Sequence, residues 1–360
     1  MPFDRGTFSV AFFKLTEELP EDALELFNSH NAGKLDEVKD EPQIGWVSGR
    51  HLLERRIDDE TAFLGGYIYL SLRTAQRKVP PALLNAESRM EELAHIKVTG
   101  NPDVPRKVKK EIKETIIENR LPQMVPTISG ISIVIDQNDN TLYAAATSVR
   151  QIDTLLGFLN DTLKIAPLQI TAEEIMLEEK LNPRNFNGIS MIDGDCDDYS
   201  PGRDFLTWLW YYSEEEGGEV DVKGYEKFTS MIDGPLSFIS DGEGSFETVV
   251  RKGNPLKSAE ASVALRVGKK LKKAKLIFCR ADEIWTAGFD ADNFTFSSLS
   301  LPEGEEMDYA SRFAERISNL HIFKSVFISF YKYFIAQTQA DDWPAKLDEI
   351  RNWIKNRESL

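Results

Sequence analysis

The sequence is poor in the residues from which disulfides and common metal sites are built. Its 360 residues include only two cysteines and four histidines, namely Cys196, Cys279, His30, His51, His95 and His321. The cysteines belong to no CxxC or Cys/His pattern, so we expect two reduced thiols and no zinc site. The histidines have no metal-binding spacing, and we expect them at the surface or at interfaces.

Long apolar runs and familiar catalytic motifs are also missing. No apolar stretch reaches the roughly 20 residues of a membrane helix, and the start lacks the features of a signal peptide. We therefore expect a cytoplasmic protein. The sequence contains no G-x-S-x-G, H-E-x-x-H, Walker-type or G-x-G-x-x-G motif. It therefore predicts neither catalysis nor a cofactor.

One acidic stretch imitates a calcium loop. "DGDCDDYSPGRD" (193–204) places aspartates at positions 1, 3, 5 and 12, but position 6 is Asp198 where the turn needs glycine. A solvated acidic loop is the favoured interpretation. A metal-dependent nuclease that uses this loop stays an alternative, although it would need carboxylates that converge on one pocket. The other candidate carboxylates are scattered along the chain: Asp136, Asp282 and Glu283.

Positive charge is scarce overall but locally concentrated. The chain has 43 Lys and Arg against 59 Asp and Glu, a net charge of -16. "PRKVKKEIKETIIENR" (105–120) reverses this balance, with six cations and three acids. Pro105 suits the start of a helix and Pro122 its end. We therefore predict a basic helix across this stretch.

The helical period of about 3.6 residues sorts this stretch into faces. An apolar arc consists of Val108, Ile112, Thr115 and Ile116. Five cations share the neighbouring arc: Arg106, Lys109, Lys110, Lys113 and Arg120. Like charges on one arc repel unless an anion is near, which supports phosphate binding, although a solvated face is the favoured interpretation of this helix taken alone. An acidic protein partner would be the alternative ligand, in a scaffold that binds only proteins.

A second basic cluster is "RVGKKLKKAK" (266–275), which contains no acid. Its candidate phosphate contacts are Arg266, Lys269, Lys270, Lys272 and Lys273. The alternative is a basic surface element that balances neighbouring acids. Val263, Val267 and Leu271 recur every four residues, which is typical of a helix, while the following "KLIFC" favours a strand. The boundary between helix and strand stays open at this point.

The remaining patterns mix strands and helices without strict alternation, which favours an α+β fold with mixed or antiparallel sheets. "GISIVIDQNDNTLYAAAT" (130–147) predicts a hairpin and "RQIDTLLGFLNDTLK" (150–164) an amphipathic helix. A long apolar helix is predicted over 308–337 and a terminal helix over 341–355. The aromatic run "FLTWLWYY" (205–212) is interpreted as core, since no cation interleaves with it. The phenylalanines of 323–334 recur at helical spacing and are also interpreted as core, with a subunit interface as the alternative.

The order of several motifs resembles the recombination-associated protein RdgC family. They are "FSVAFFKL" (8–15), "IGWVSGR" (44–50), "RTAQRKVPPALL" (73–84), the basic stretch 105–126, the hairpin and helix of 131–168, and "FSSLSLPEGEEMDYASRFAERI" (296–317). Lys78 with Pro80 matches a family segment and is added to the candidate contacts. Gln123 and Val125 stand where the family carries Arg and Phe.

The resemblance implies a nucleoid-associated protein that binds double-stranded DNA without sequence specificity. It also implies a homodimer closed into a ring and a restraint on RecA-driven recombination, with RecA as a further partner. We accordingly expect a non-enzymatic protein with three parts: an N-terminal body (1–77 and 121–170), an inserted, projecting basic tip (78–120) and a C-terminal base (171–360).

Overall fold

The computed structural model describes residues 2–189, 199–240, 246–304 and 308–357. These residues form ten α-helices and thirteen β-strands, which confirms the α+β class. The helices are α1 (Ala23–Ser29), α2 (Asp59–Ala62), α3 (Pro81–Thr99), α4 (Arg106–Arg120), α5 (Val149–Leu163), α6 (Ala172–Glu178), α7 (Pro201–Glu215), α8 (Ala259–Arg266), α9 (Tyr309–Thr338) and α10 (Trp343–Asn356). No helix in these ranges has the length and apolar character needed to cross a membrane.

The strands pair antiparallel wherever their register is defined. They are β1 (Phe8–Lys14), β2 (Gln43–Ser48), β3 (Phe63–Leu64), β4 (Tyr67–Gln76), β5 (Thr127–Asp136), β6 (Thr141–Ala144), β7 (Leu168–Gln169), β8 (Glu219–Asp221), β9 (Lys227–Ile239), β10 (Glu247–Val250), β11 (Lys270–Arg280), β12 (Glu283–Asp290) and β13 (Thr295–Ser300). The predicted hairpin is confirmed as β5 and β6.

The chain divides into two compact units. The larger unit contains residues 1–19, 64–68 and 132–360, and the smaller unit contains residues 20–63 and 69–131. In the larger unit the strand order is β10-β9-β11-β12-β13-β1-β6-β5. In the smaller unit β4 lies between β5 and β2. The three-part organisation expected from the sequence stays a prediction.

Aromatic residues dominate the core of the larger unit. Phe327 of α9 lies 4.9 Å from both Phe289 of β12 and Phe296 of β13, measured between ring centroids. Trp208 and Trp210 of α7 are fully buried. Their burial confirms that "FLTWLWYY" is core, and the buried phenylalanines of α9 confirm the same for 323–334. These large apolar surfaces hold the helices against the sheet.

Local sequence explains where several helices begin and end. Ser148 caps α5 by accepting a hydrogen bond from the Gln151 backbone, and Asp308 caps α9 through the amides of Ala310 and Ser311. Each cap satisfies backbone N–H groups that the first helical turn leaves unpaired. Gly100 ends α3 in the left-handed conformation, with φ of 67°. Glycine adopts this conformation without the steric cost of a side chain.

Candidate nucleic-acid interface

The basic stretch forms helix α4, which packs against α3 in the smaller unit. The two helices are thinly buried, since only Ser88 of α3 and Ile116 of α4 are fully buried. Val108 and Ile112 are half-buried, as the helical pattern predicts, but Thr115 is exposed. The prediction that Thr115 belongs to the buried arc is therefore wrong. Most of the α4 surface is available to a ligand.

Five cations of α4 are exposed: Arg106, Lys107, Lys109, Lys110 and Lys113. Two of them form long ion pairs along the helix, Lys107 Nζ to Glu111 Oε1 at 3.9 Å and Lys110 Nζ to Glu114 Oε1 at 3.5 Å. Exposed pairs of this kind contribute little free energy. The other three make no ion pair with any residue that the structure describes. Phosphate would therefore meet little competition from neighbouring carboxylates.

The spacing of these residues suits a linear anion. Arg106, Lys109, Lys110 and Lys113 are separated by three, one and three residues, so they lie along one side of α4. They span about 10 Å at a rise of about 1.5 Å per residue. This length corresponds to about three phosphate spacings of one DNA strand, each about 3.4 Å along the axis, and so to about four phosphates. We call these four residues the α4 cation row.

Arg120, the fifth predicted cation of the face, has a structural partner. Its guanidinium binds the Glu87 carboxylate of α3, with Nη2 2.6 Å from Oε1 and Nε 3.0 Å from Oε2. Hydrogen bonding to Glu87, and then its charge, raise the pKa of Arg120. This bidentate pair joins the C-terminal end of α4 to α3. Arg120 is therefore less available to phosphate than the α4 cation row.

Arg120→Gln is expected to lower the free energy of unfolding only slightly, because the pair with Glu87 is partly exposed. The same change should weaken DNA binding less than Arg106→Gln does. Urea denaturation and a fluorescence-anisotropy titration with labelled duplex measure the two effects. A larger loss of DNA affinity from Arg120→Gln than from Arg106→Gln would show that Arg120 contacts phosphate directly.

Lys78 lies just before α3, where it is exposed and forms no ion pair with a described residue. Its neighbour Arg77 is a residue that the sequence patterns did not single out. The Arg77 guanidinium donates to the carbonyl oxygens of Val38, at 2.7 Å, and of Pro122, at 3.2 Å. Arg77 thus holds the turn that follows α4. Only its position beside Lys78 in "RTAQRK" could have drawn attention to it.

Two other arginines of the smaller unit also bind carbonyl oxygens and make no ion pair with a described residue. Arg55 donates to the carbonyl of Ala32 at 2.5 Å, and the buried Arg73 donates to the carbonyl of Leu52 at 3.3 Å. Burial, and then the charge of Arg55, lower the pKa of Arg73. A carbonyl satisfies a donor but does not neutralise its charge. These arginines therefore add to the positive potential of the smaller unit.

Charge is unevenly divided between the two units. The smaller unit contains 16 Lys and Arg and 18 Asp and Glu, a net charge of -2, while the larger unit contains 27 and 41, a net charge of -14. Within the smaller unit, residues 69–131 contain 11 cations and 7 acids, a net charge of +4. The acidity that dominates the composition therefore lies mainly outside the segment that carries α3 and α4.

The second basic cluster differs from the expected element. Helix α8 ends at Arg266 and β11 begins at Lys270, so the helix suggested for 266–275 is wrong over most of its length. Lys270 is buried, with Nζ 3.1 Å from Asp204 Oδ1 and 2.7 Å from Ser200 Oγ. The Lys270 side chain would have to leave this site to reach a phosphate.

The other four candidates in this cluster are also engaged within the larger unit. Lys272 Nζ lies 3.4 Å from Asp292 Oδ2, and Lys273 Nζ lies 2.8 Å from Asp290 Oδ2. Lys269 Nζ lies 2.8 Å from Thr248 Oγ1, and Arg266 Nη2 lies 2.5 Å from the carbonyl oxygen of Arg357. Binding to DNA would compete with each of these contacts. We therefore rank this cluster below α4 as a candidate interface.

Half of the acidic stretch 193–204, residues 193–198, lies outside the described residues, which resume at Tyr199. Asp204, the predicted position 12 of a calcium loop, is buried in the first turn of α7 beside Lys270. For Asp204, the interpretation as a solvated loop residue is therefore wrong. Among the described ranges, no group of three His, Cys, Asp or Glu side chains is placed to hold a metal ion. His30 and His51 are exposed, while His95 and His321 are half-buried.

Comparison with known proteins concerns the N-terminal half of the chain. A family model described as "Putative exonuclease, RdgC" matches residues 9–182. The "Recombination-associated protein RdgC" of Pseudoalteromonas atlantica is 29% identical over 115 residues, which are 32% of this chain and 38% of that relative. The matched family range includes α3, α4 and Lys78 but not the cluster at 266–273. Residues 9–182, just under half of the chain, are therefore similar to the RdgC family.

Proposed function

We propose that this protein binds double-stranded DNA through the phosphate backbone, without sequence specificity. The observation that carries the proposal is the α4 cation row, exposed on a thinly buried helix and only weakly compensated by carboxylates. The printed name of the RdgC relative links it to recombination, a process that takes place on DNA. The family match includes the helix that bears the row.

Electrostatics explains how so acidic a chain can bind DNA. Screening at 0.15 M salt limits charge interactions to about 8 Å, so a phosphate at α4 responds to nearby cations more than to distant acids. Binding releases the counterions that each neutralised phosphate had condensed. Lysine and arginine contacts to phosphate position a protein but read no bases. Affinity should therefore depend on salt and hardly on sequence.

The finer parts of the proposal come from the family resemblance. We propose that two copies close into a ring around duplex DNA and that the bound ring restrains RecA-dependent recombination in the nucleoid. We also propose that the protein acts without catalysis, as an obstacle on the DNA. An acidic exterior is compatible with this arrangement, provided that the cations of the smaller unit face the phosphates.

Titration of the purified protein against labelled duplexes of unrelated sequence tests the proposal. Four phosphate contacts predict a log–log salt slope of about -3.6, so affinity should fall about 100-fold or more between roughly 50 and 200 mM salt. Similar affinity for all sequences and intact DNA with magnesium present are expected. Magnesium-dependent loss of DNA would favour the nuclease. Absence of binding at the lowest salt would favour the protein-only scaffold.

A further inference from the structure

Strands β11, β12 and β13 of the larger unit form one wall of a cavity of about 310 Å³. Phe289 of β12 and Phe296 of β13 contact α9, and successive strand residues point to opposite faces of a sheet. Their neighbours Gly288 and Ser297, which line the cavity, therefore lie on the face away from α9. Pockets of about 300–1,000 Å³ hold small ligands, so this cavity is large enough for a phosphate group.

A glycine shapes this part of the sheet. Strand pairing places Gly288 of β12 opposite Lys275 of β11 and Ser297 of β13, so the three residues form one row across the sheet. Gly288 has no side chain, and a Cβ atom built there would lie 2.7 Å from Ser297 Oγ. The row therefore has a depression with a lysine on one side and a hydroxyl on the other.

Lys275 is a cation of this cavity without a carboxylate partner. It is half-buried and forms no ion pair with any residue that the structure describes. Asp233 of β9 lies opposite Lys275 in the strand register, but its Oδ1 accepts a hydrogen bond from the Gly234 amide at 2.7 Å. A partly desolvated ammonium group without an ion-pair partner gains free energy from an anionic ligand.

Among the described residues that line the cavity, Asp290 is the one acid, and its charge is compensated. Asp290 Oδ2 lies 2.8 Å from Lys273 Nζ, and Asn293 Nδ2 donates to the same oxygen at 3.2 Å. Burial opposes ionisation of Asp290, but the hydrogen bond and charge of Lys273, with the hydrogen bonds from Asn293, hold its pKa below the ordinary value. Asp290 and Lys273 therefore offset each other, and the charge of Lys275 remains in excess.

Hydroxyl groups supply neutral donors in the same cavity. Thr295 of β13 is 3% exposed, and its Oγ1, which has no hydrogen-bond partner among the described residues, is not fully enclosed. Thr147 is half-buried, and its hydroxyl is also without a partner in the described ranges. Buried polar groups normally have a partner, so both hydroxyls are available to a ligand. Lysine and threonine side chains are among the usual contacts of phosphate oxygens.

We infer that this cavity binds a phosphate group, carried either by the DNA backbone or by a small phosphorylated molecule. The Lys275 ammonium pairs with the phosphate, and the hydroxyls of Thr295 and Thr147 donate to its oxygens. The depression at Gly288 provides the space that the phosphate occupies. The inference does not rest on the proposed DNA binding, because inorganic phosphate alone can test it.

Isothermal titration of the full chain with inorganic phosphate, at an ionic strength held constant with sodium chloride, tests the inference. Lys275→Gln should weaken binding about tenfold or more, because it removes the charged donor. Gly288→Val should weaken binding about tenfold, because the new side chain fills the depression while every charge is retained. Thr295→Val should weaken it less, because one neutral donor is lost and the shape is kept. Lys223→Gln, which removes an exposed cation of the larger unit, should leave the affinity unchanged.

Titration with labelled duplex distinguishes the two sources of the phosphate. Weaker duplex binding by Lys275→Gln assigns the phosphate to the DNA backbone, while unchanged duplex affinity with reduced phosphate affinity assigns it to a small phosphorylated molecule. A variant with the α4 cation row changed to glutamine should bind inorganic phosphate with unchanged affinity, since its cavity is intact.

Absence of binding by the unaltered protein at millimolar phosphate would overturn the inference. So would phosphate binding that survives Lys275→Gln but disappears with the α4 cation row. Because Lys275 forms no ion pair with a described residue, Lys275→Gln keeps the test valid if Gly288→Val fails to fold.

Discussion

Replacing Arg106, Lys109, Lys110 and Lys113 together by glutamine is expected to weaken binding to duplex DNA about 1,000-fold at about 100 mM salt. The reason is the loss of four phosphate contacts and of the counterion release that accompanies them. The log–log salt slope should become shallower by about 3.6 in the same variant. Fluorescence anisotropy between roughly 50 and 200 mM salt gives both quantities.

The matched control removes four cations from the larger unit. Lys223, Lys252, Lys257 and Lys355 are exposed and form no ion pair with a described residue. Changing these four to glutamine alters the net charge by the same amount, so it separates a local effect from a global one. The control should keep its affinity within about threefold and its salt slope within about one unit. Equal losses in the two variants would contradict a local interface at α4.

Folding should survive either set of substitutions. Glutamine is a good helix former, and all four side chains of the α4 cation row are exposed, so unfolding free energy should change by less than about 0.5 kcal/mol per site. Glutamate at the same four positions adds repulsion and should abolish binding at moderate salt. Unchanged affinity in the glutamate variant would exclude α4 from the DNA interface.

The exposed face of α4 could be predicted because the spacing of the apolar residues along an amphipathic helix shows which side is buried. Val108, Ile112 and Ile116 recur at helical spacing, and these three are the residues that α4 turns inward. Thr115 falls on the same arc of the sequence pattern but remains exposed. Only one narrow side of α4 is buried, so the helical pattern predicted a wider buried arc than the structure has.

The second basic cluster was harder to interpret because its strand is irregular. The pairing of β11 with β9 shifts register between Leu271 and Lys273 and again between Lys273 and Lys275. These shifts interrupt the alternation of buried and exposed residues that would mark a strand. The apparent helical stripe was also misleading, since Val263 and Val267 are 55% and 64% exposed.

No local sequence pattern could predict the long-range ion pairs. Glu87 and Arg120 are 33 residues apart in the sequence, and Asp204 and Lys270 are 66 residues apart. Each pair forms only after separate elements pack together, so neither composition nor periodicity could predict it. The sequence could therefore identify candidate cations, but it could not distinguish those that remain exposed from those that form an ion pair within the protein.

A polar network in the larger unit leads to the second large effect. The turn between β5 and β6 carries Asp139, whose Oδ2 accepts hydrogen bonds from Lys324 of α9 and, at 2.6 Å, from Thr141 Oγ1. His321 Nδ1 lies 3.4 Å from the same oxygen. The Lys324 side chain is only 8% exposed, while that of Asp139 is 40% exposed. Removing Asp139 would leave the buried ammonium group of Lys324 without a carboxylate partner. Removing Lys324 would leave a carboxylate that water still reaches, which costs less free energy.

Asp139→Asn is expected to lower the free energy of unfolding at neutral pH by about 2–3 kcal/mol. The estimate is below the about 3–5 kcal/mol of fully buried pairs, because Asp139 is partly exposed and Thr141 still binds Lys324 at 2.8 Å. Lys324→Met should cost less, since it removes the buried charge and retains an apolar chain. Urea denaturation of both variants measures this asymmetry. If Lys324→Met lost as much unfolding free energy as Asp139→Asn, or more, the main role of Asp139 would not be to neutralise the buried charge of Lys324.

The pH dependence of Asp139→Asn provides an independent check. The hydrogen bond from His321, and then those from Lys324 and Thr141, hold the pKa of Asp139 well below its usual value, against the opposing effect of burial. Because the folded-state pKa is the lower one, the stabilisation is present above the unfolded pKa of about 3.9 and is lost as the pH falls below it. The stability difference between the unaltered protein and Asp139→Asn should therefore be constant from about pH 6 to 8 and shrink below about pH 4. A difference that persists undiminished at about pH 3 would mean that the asparagine disrupts packing and not a charge interaction.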